Sequence, residues 1–328
     1  MEALKLSWLY VLAAMVVSAA AAHAASNESA YPLNKPIRII VPFTAGSATD
    51  LMARIVGPRL VERWGKQVVT DNRPSAGGVV AFSIVAEAAP DGHTLLVTGS
   101  NFAGSAALYS KLPFDPIRDF SGVTQLGTTP LVLVVSPSLG PKSIKELIAL
   151  AREKPGQLNY ASAGLGSGTH YGAELFKLAA GANMVHVPYR GTPEALTDVM
   201  AGRVHFYIAP VLVATPLIRG GKLLGLAVTS TERAGPLPDV PTMAEAGLPK
   251  AGYEGWYAML APGKTPRRIV NLLSREIGQI LDQRDVREKI ATQGAAAKSS
   301  TPEALDRLIR EEIATRKKVW EAAGVKVE

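Results

Sequence analysis

The chain has 328 residues, 47% of them hydrophobic and 19% charged. That is enough for two domains with separate cores, and it excludes a disordered chain or a fibre. Cysteine is absent, which rules out disulfides, thiolate chemistry and a cysteine-based zinc site. The net charge is +7, but the basic residues are dispersed and no basic run carries interleaved aromatics. Nucleic acid is therefore not an expected partner, and the charge suits attraction of small anions; a solvated basic surface without a specific role is the alternative.

In chain order, Lys5, the apolar run Leu6 to Ala22 and Ala22-His23-Ala24 make residues 1–24 a secretory signal peptide, cleaved near Ala24. That predicts a periplasmic protein; a retained membrane anchor is the competing reading. Ile37 to Phe43 is β-branched and apolar and reads as a buried strand. Thr44 to Ala48 is a turn, and Leu51, Ile55 and Leu60 give helical spacing up to about Trp64. Val68-Val69 is a short strand. Asn72 to Gly78 is a second Gly-rich turn before an apolar helix from about Val79 to Ala88, and Thr94 to Thr98 is a third strand. This alternation predicts a parallel sheet with helices on both faces.

The middle of the chain repeats the architecture, with no sequence repeat of fixed period. Leu131 to Val135 is a strand, and Ser143 to Glu146 is a capping box opening a helix to about Glu153. Leu158 to Ser162 is a strand that runs into the Gly-rich turn Ala163 to Thr169 and then a helix. His186 to Tyr189 is a strand end, and Thr192-Pro193 reads as an N-cap with proline at the first helical position. Residues 204–209 and 223–229 are further strands, Thr242 to Glu245 is another capping box, and the tail holds two helices, after Thr265-Pro266 and after Thr301-Pro302.

Three Gly-rich turns thus follow strands and open helices: Gly46 to Thr49, Ala76 to Val79, and Gly164 to Thr169. Helix N-termini present unpaired N–H groups and partial positive charge, and glycine admits close backbone approach, so the pattern predicts an anion site. Ser47, Thr49, Ser162, Ser167 and Thr169 can add hydroxyl donors. Gly263-Lys264-Thr265 resembles the end of a P-loop, but Ala258 stands where its first glycine belongs and Pro266 follows. His93, His170, His186 and His205 lack metal-ligand spacing, so no metal and no cofactor are expected. Ser167 and His170 could suggest acyl transfer, but the nucleophile-elbow pattern is missing, and an enzyme is not expected.

The motif series resembles the Bug family, the substrate-binding subunits of tripartite tricarboxylate transporters. Ile39 to Phe43 with Gly46 and Thr49-Asp50 opens the resemblance. It continues through Asp71 to Pro74 with Ala76-Gly77-Gly78, Ala89 to Gly92, and Leu112 to Pro116 with Asp119-Phe120. Tyr160 to Ser162, Gly164 to His170, His186 to Gly191, Leu226 to Ser230, Leu237 to Thr242, Trp256 and Ala261-Pro262 follow in order. The resemblance implies a type II periplasmic-binding-protein fold: α/β, two lobes with parallel-rich sheets flanked by helices, and a hinge. Lobe 1 would span residues 31–125 and 247–328, and lobe 2 residues 126–246. It implies a small carboxylate ligand, an organic or aromatic acid, delivered to the membrane subunits of a transporter; a periplasmic sensor is the alternative function. A monomer is expected. Carried over by motif, ligand contacts would come from Thr44, Gly46, Ser47, Ala48, Thr49, Ala76, Gly77, Gly78 and Val79 in lobe 1. In lobe 2 they would come from Ser162, Gly164, Gly166, Ser167, Thr169 and His170, with Tyr207 and Ala209 completing the pocket. The sequence departs from the family where an acidic or amide pair is common: here it has Ala209-Pro210, which argues against a ligand with a cationic group.

Overall fold

The structure, a computed structural model, describes residue 31 and residues 35–292 and 294–325. The signal peptide assigned to residues 1–24 lies outside them. Among the described residues no helix is long and apolar enough to cross a membrane.

The fold has two lobes that share one long strand. In the first sheet β1 (Ile37–Val41) lies between β2 (Val68–Asn72) and β3 (Thr94–Gly99), parallel to both. β3 pairs antiparallel with β9 (Glu254–Pro262), and β9 pairs antiparallel with β4 (Phe120–Val135). β4 changes partners along its length. From Phe120 to Pro130 it runs beside β9; from Leu131 to Val135 it runs beside β7 (Phe206–Pro210) and β8 (Leu224–Val228). β5 (Asn159–Ser162) extends the second sheet, parallel to β7 and to β6 (Val185–Pro188). The short β10 (Ala296–Ala297) pairs antiparallel with β4 at Gly127 and Thr128.

Strand periodicity fills both faces. Val132 and Val134 pack with Leu196, Val199 and Tyr207, whereas Leu133 and Val135 pack with Phe176 and Phe206. In the other lobe Ile37, Ile39 and Val41 face Met52, Leu60, Leu273 and Ile277, while Ile40 faces Phe82, Phe102 and Leu260. Sheets covered on both sides need such continuous apolar strands.

The helices are α1 (Ala48–Trp64), α2 (Val79–Ala86), α3 (Asn101–Leu108), α4 (Ile144–Glu153), α5 (Gly168–Ala180), α6 (Thr192–Met200), α7 (Val211–Arg219), α8 (Arg267–Leu281), α9 (Arg284–Thr292) and α10 (Pro302–Ala322). The strand and helix alternation follows the sequence reading, with six departures. The sheet is mixed, because the strands joining the lobes enter from opposite ends and pair antiparallel. β4 is far longer than Leu131 to Val135; its first half is rich in Gly, Ser and Thr and carries register shifts at Gly122/Thr124 and Gln125/Gly127, which hide it from a hydrophobic pattern. Two helices escape periodicity: α3 is small-residued and buried almost all round, and α7 contains Pro216 among β-branched residues. The described tail holds three helices, not two. Gly191 is the N-cap of α6, and Thr192 is its first residue. The Thr242 capping box does form, with Glu245 N–H donating to Thr242 Oγ1 (3.1 Å) and Thr242 N–H to Glu245 Oε2 (2.7 Å), but it closes a turn rather than opening a helix.

Candidate functional site: a cavity ringed by helix N-termini

A cavity of about 50 Å³ lies where the strand ends of both sheets meet. One water needs roughly 10–15 Å³ of such space, so the cavity suits a small molecule. The first residues of helices surround it. Ser47, Ala48 and Thr49 come from the start of α1, and Ser100 and Asn101 from the start of α3. Ser167, Gly168 and Thr169 start α5, Thr192 starts α6, and Pro210 precedes α7. Five partially positive helix ends therefore converge on one space. Among the described residues no lining side chain is formally charged; Phe43, Leu131, Trp256 and Tyr257 supply apolar wall.

Four lining residues also carry buried polar atoms with no hydrogen-bond partner among the described residues: Ser47 Oγ, Thr49 Oγ1, Asn101 Nδ2 and Trp256 Nε1. Each of these residues is at most 3% exposed. An unmet buried donor destabilises the fold by about 1–3 kcal/mol, so four of them around one cavity make it a candidate place to receive acceptors. Asn101 is oriented for this. Its Oδ1 accepts from Thr98 Oγ1 (3.1 Å) and Gly99 N–H (3.0 Å), which leaves Nδ2 to donate. An ionised carboxylate is an acceptor-only group and matches such a donor set.

Two of the turns are copies of one another. Gly46-Ser47-Ala48-Thr49-Asp50 and Gly166-Ser167-Gly168-Thr169-His170 both open with a left-handed glycine, φ +79° and +74°. Both place serine as the N-cap of the helix that follows. In both, the third helical residue reaches back to the glycine N–H: Asp50 Oδ2 accepts from Gly46 (2.9 Å) and His170 Nδ1 from Gly166 (3.3 Å). The hydroxyls differ. Ser167 Oγ accepts from His170 N–H (3.1 Å) and lies 3.0 Å from Thr169 Oγ1, which accepts from Ala163 N–H (2.9 Å). Ser47 and Thr49 spend no hydroxyl on their own turn.

Of the residues expected at the site, Ser47, Ala48, Thr49, Ser167 and Thr169 line this cavity. The others lie around it. Thr44 Oγ1 donates to Glu194 Oε2 (3.1 Å), joining the first turn to α6. Gly46 sits against Pro193. Gly77 and Gly78 do not line the cavity: a Cβ on Gly77 would lie 2.8 Å from Leu165 O, and one on Gly78 2.8 Å from Phe82 and Pro42. Val79 packs on the phenylalanine layer. Gly164 lies against Gly77 N, and a Cβ on Gly166 would lie 2.8 Å from Ser105 Oγ, so these glycines set how closely the turns of the two lobes approach. Tyr207 is fully buried behind the wall, its hydroxyl 3.1 Å from Thr192 Oγ1, and Ala209 is buried in β7. Sequence reading missed Ser100, Asn101, Thr192 as a lining residue, Tyr253 and Trp256. For Ser100-Asn101 a signal exists: a strand ending at Gly99 runs into two N-capping residue types. Tyr253 and Trp256 arrive only through tertiary packing.

Behind the second turn lies a buried polar stack. His170 and His186 rings are parallel, 3.9 Å apart, and Tyr160 stacks on His186 at 5.0 Å. Burial, and then the neighbouring His170, push the His186 imidazole down to about 3; burial also lowers His170. Burial alone would raise the Glu174 carboxyl, but contacts from His170, Lys177 and Tyr160 outweigh it and hold Glu174 at about 2. Lys177 Nζ is 2.6 Å from Glu174, and Tyr160 donates its hydroxyl proton to it. Ser167 Oγ bonds a backbone N–H rather than an imidazole. Ser162 Oγ does meet His186 Nε2 (2.6 Å), but Ser162 is fully buried and off the cavity wall. These groups fix the turn in place. Among the described residues no three His, Asp or Glu side chains gather closely enough to hold a metal ion.

Comparison with known proteins matches this architecture. The model of the tripartite tricarboxylate transporter family receptor matches residues 52–325. Protein BugT of Bordetella pertussis is 36% identical over 97% of this chain and 98% of its own. Among solved structures, R. palustris Rpa4515 with adipate superposes with a TM-score of 0.87 at 35% identity, covering 90% of this chain and 99% of that one. MatC (Rpa3494) from Rhodopseudomonas palustris with bound malate gives 0.84 at 33% identity, covering 88% and 99%.

Proposed function

Because the chain belongs to the tripartite tricarboxylate transporter receptor family, we propose that it is an exported, periplasmic receptor that captures a small carboxylate between its lobes and delivers it to the membrane subunits of a secondary transporter. One observation carries this reading: among the described residues, five helix N-termini and four unpartnered buried donors surround a cavity without a charged side chain. Oriented backbone dipoles and neutral donors can hold an anion without an arginine clamp. Among the described residues the same wall offers no carboxylate to a ligand amine, which favours an acid without a cationic group. Adipate and malate, found with two solved relatives, belong to that class.

The partner exchange of β4 between Pro130 and Leu131 supports a first crossing between lobes there. The second would fall at Tyr253–Glu254, where Tyr253 N–H donates to Thr229 O (2.8 Å) and Glu254 pairs with Pro130. Thermal shift with a panel of mono-, di- and aromatic carboxylates tests the ligand class, with adipate, malate and their amides included. A ligand that binds only the folded state raises Tm. At least one acid is expected to raise Tm while its amide does not. A panel in which amides and acids act alike removes the carboxylate reading.

A further inference from the structure

A permanent positive charge is buried one residue behind the cavity wall. Arg316 of α10 is 1% exposed, and the carboxylate beside it is Glu312, 24% exposed, with Nε donating to Oε2 at 2.7 Å. Its guanidinium carbon lies 4.1 Å from the Tyr171 ring centroid and 5.1 Å from that of Tyr253. Nη2 donates to the Tyr253 hydroxyl (2.6 Å), and Nη1 is buried with no partner among the described residues. Burying a guanidinium with incomplete partnering is unfavourable, and an apolar side chain of similar volume often serves stability as well.

The hydrogen bonds from Arg316 run towards the cavity. Tyr253 accepts from Arg316, so its own proton goes to Ser100 Oγ (2.5 Å). Ser100 then has one proton left. It is the N-cap of α3 but makes no side-chain cap bond, and it lines the cavity. The direction is forced from the charged end, because arginine can only donate.

The geometry points to Arg316 as a positioning residue for ligand: through Tyr253 it turns the Ser100 hydroxyl into a donor aimed at the ligand's carboxylate. This rests on the carboxylate reading of the cavity. The guanidinium also touches the opposite lobe, since Tyr171, whose ring it covers, belongs to α5 and Arg316 to α10. Donation in series polarises each bond in turn, so the charge strengthens a donor it does not touch.

The chain contains no cysteine, so a single Ser100→Cys thiol can be titrated cleanly by its thiolate absorbance, without ligand. With Arg316 intact, the thiolate is stabilised. Adding Arg316→Met is expected to raise the thiol pKa by about one unit, the low end of the effect of a nearby charge. Arg316→Lys should restore more than half of that shift. Tyr253→Phe, which keeps the ring and removes the relay, should give the same rise; it stands in if Arg316→Met does not fold. In parallel, Arg316→Met in the otherwise native chain should weaken adipate binding about tenfold by calorimetry, as expected for removing a buried charge partner. Thiol values that stay level across the series overturn the relay. So does a thiol shift accompanied by unchanged adipate affinity. If adipate does not bind the native chain at all, that failure belongs to the ligand class, and the ligand-free titration decides the relay.

Discussion

The two Gly-Ser-x-Thr turns have nearly the same backbone and opposite chemistry. Ser47 has φ −68° and ψ 157°; Ser167 has φ −63° and ψ 158°. Ser167 caps its helix, and Thr169 ties back to Ala163. Ser47 and Thr49 leave both hydroxyls unmet at the cavity. The lobe 2 turn is therefore complete without ligand, while the lobe 1 turn is not. A fold tolerates that deficit when something else recovers it, and at a binding site the ligand does. Two serines in the same backbone setting thus differ in kind: on the proposed reading, the loss of one should be felt in folding and the loss of the other in binding.

The strongest way to break the comparison is to place a fixed carboxylate in the incomplete turn. Ser47→Asp puts an anion where the ligand's anion is expected, next to helix N–H groups that cannot neutralise two charges. Ligand affinity should fall by about 3 kcal/mol, the scale of opposing a desolvated charge contact. The fold should survive, because Asp is a favoured N-cap. Calorimetry with circular dichroism as the folding control decides it; native affinity in a folded variant moves the carboxylate away from this turn.

Acid should affect the complete turn first. The fold holds the His186 imidazole at about 3, and His170 is lowered too. The unfolded chain binds those protons near pH 6.5, so stability is full above pH 6.5 and declines as pH falls towards 3. The drop from pH 6.5 to 5 is about 2 kcal/mol for His186 alone. Glu174, held at about 2, adds a loss in the same direction once pH falls below about 4.3. Melting temperature against pH measures this, and His186→Gln should flatten the slope above pH 5. A slope that is unchanged in that variant places the acid sensitivity elsewhere.

Much of the candidate site was legible in the sequence, and the rest escaped for separate physical reasons. Gly46 to Thr49 and Gly164 to Thr169 stood out because local rules govern them: a strand end, a left-handed glycine, an N-cap. Asn101 and α3 were missed because a helix buried nearly all round has no polar face to set a period. The first half of β4 was missed because register shifts and small polar residues break the alternation that marks a strand. Ser100 and Trp256 belong to different strands' ends and meet only because β3 pairs with β9, where Ser100 N–H donates to Trp256 O (3.0 Å). The Ala76–Gly78 turn shows the opposite limit. Its glycines look like ligand glycines, yet Gly77 serves the approach of Leu165, because close backbone approach has the same sequence signature whether the neighbour is ligand or protein.

The smallest expected effects give the sharpest contrast, because the same substitution is made twice. Ser167→Ala removes an N-cap bond to His170 N–H and leaves Thr169 with one partner fewer. It should destabilise the fold by about 1 kcal/mol, the usual loss for a serine cap. Ser47→Ala removes a hydroxyl that bonds nothing in its own turn. Its effect on ligand-free stability should stay within a few tenths of a kcal/mol, and deleting an unmet buried polar atom can even be favourable. Ligand affinity should instead fall by roughly 0.5–1.5 kcal/mol, one hydrogen bond's net contribution. Chemical denaturation without ligand and calorimetry with it place each variant on two axes. Ser167→Ala should move along the stability axis and Ser47→Ala along the binding axis. If both move along the same axis, the two hydroxyls do the same job, and the division between a complete turn and an incomplete one fails.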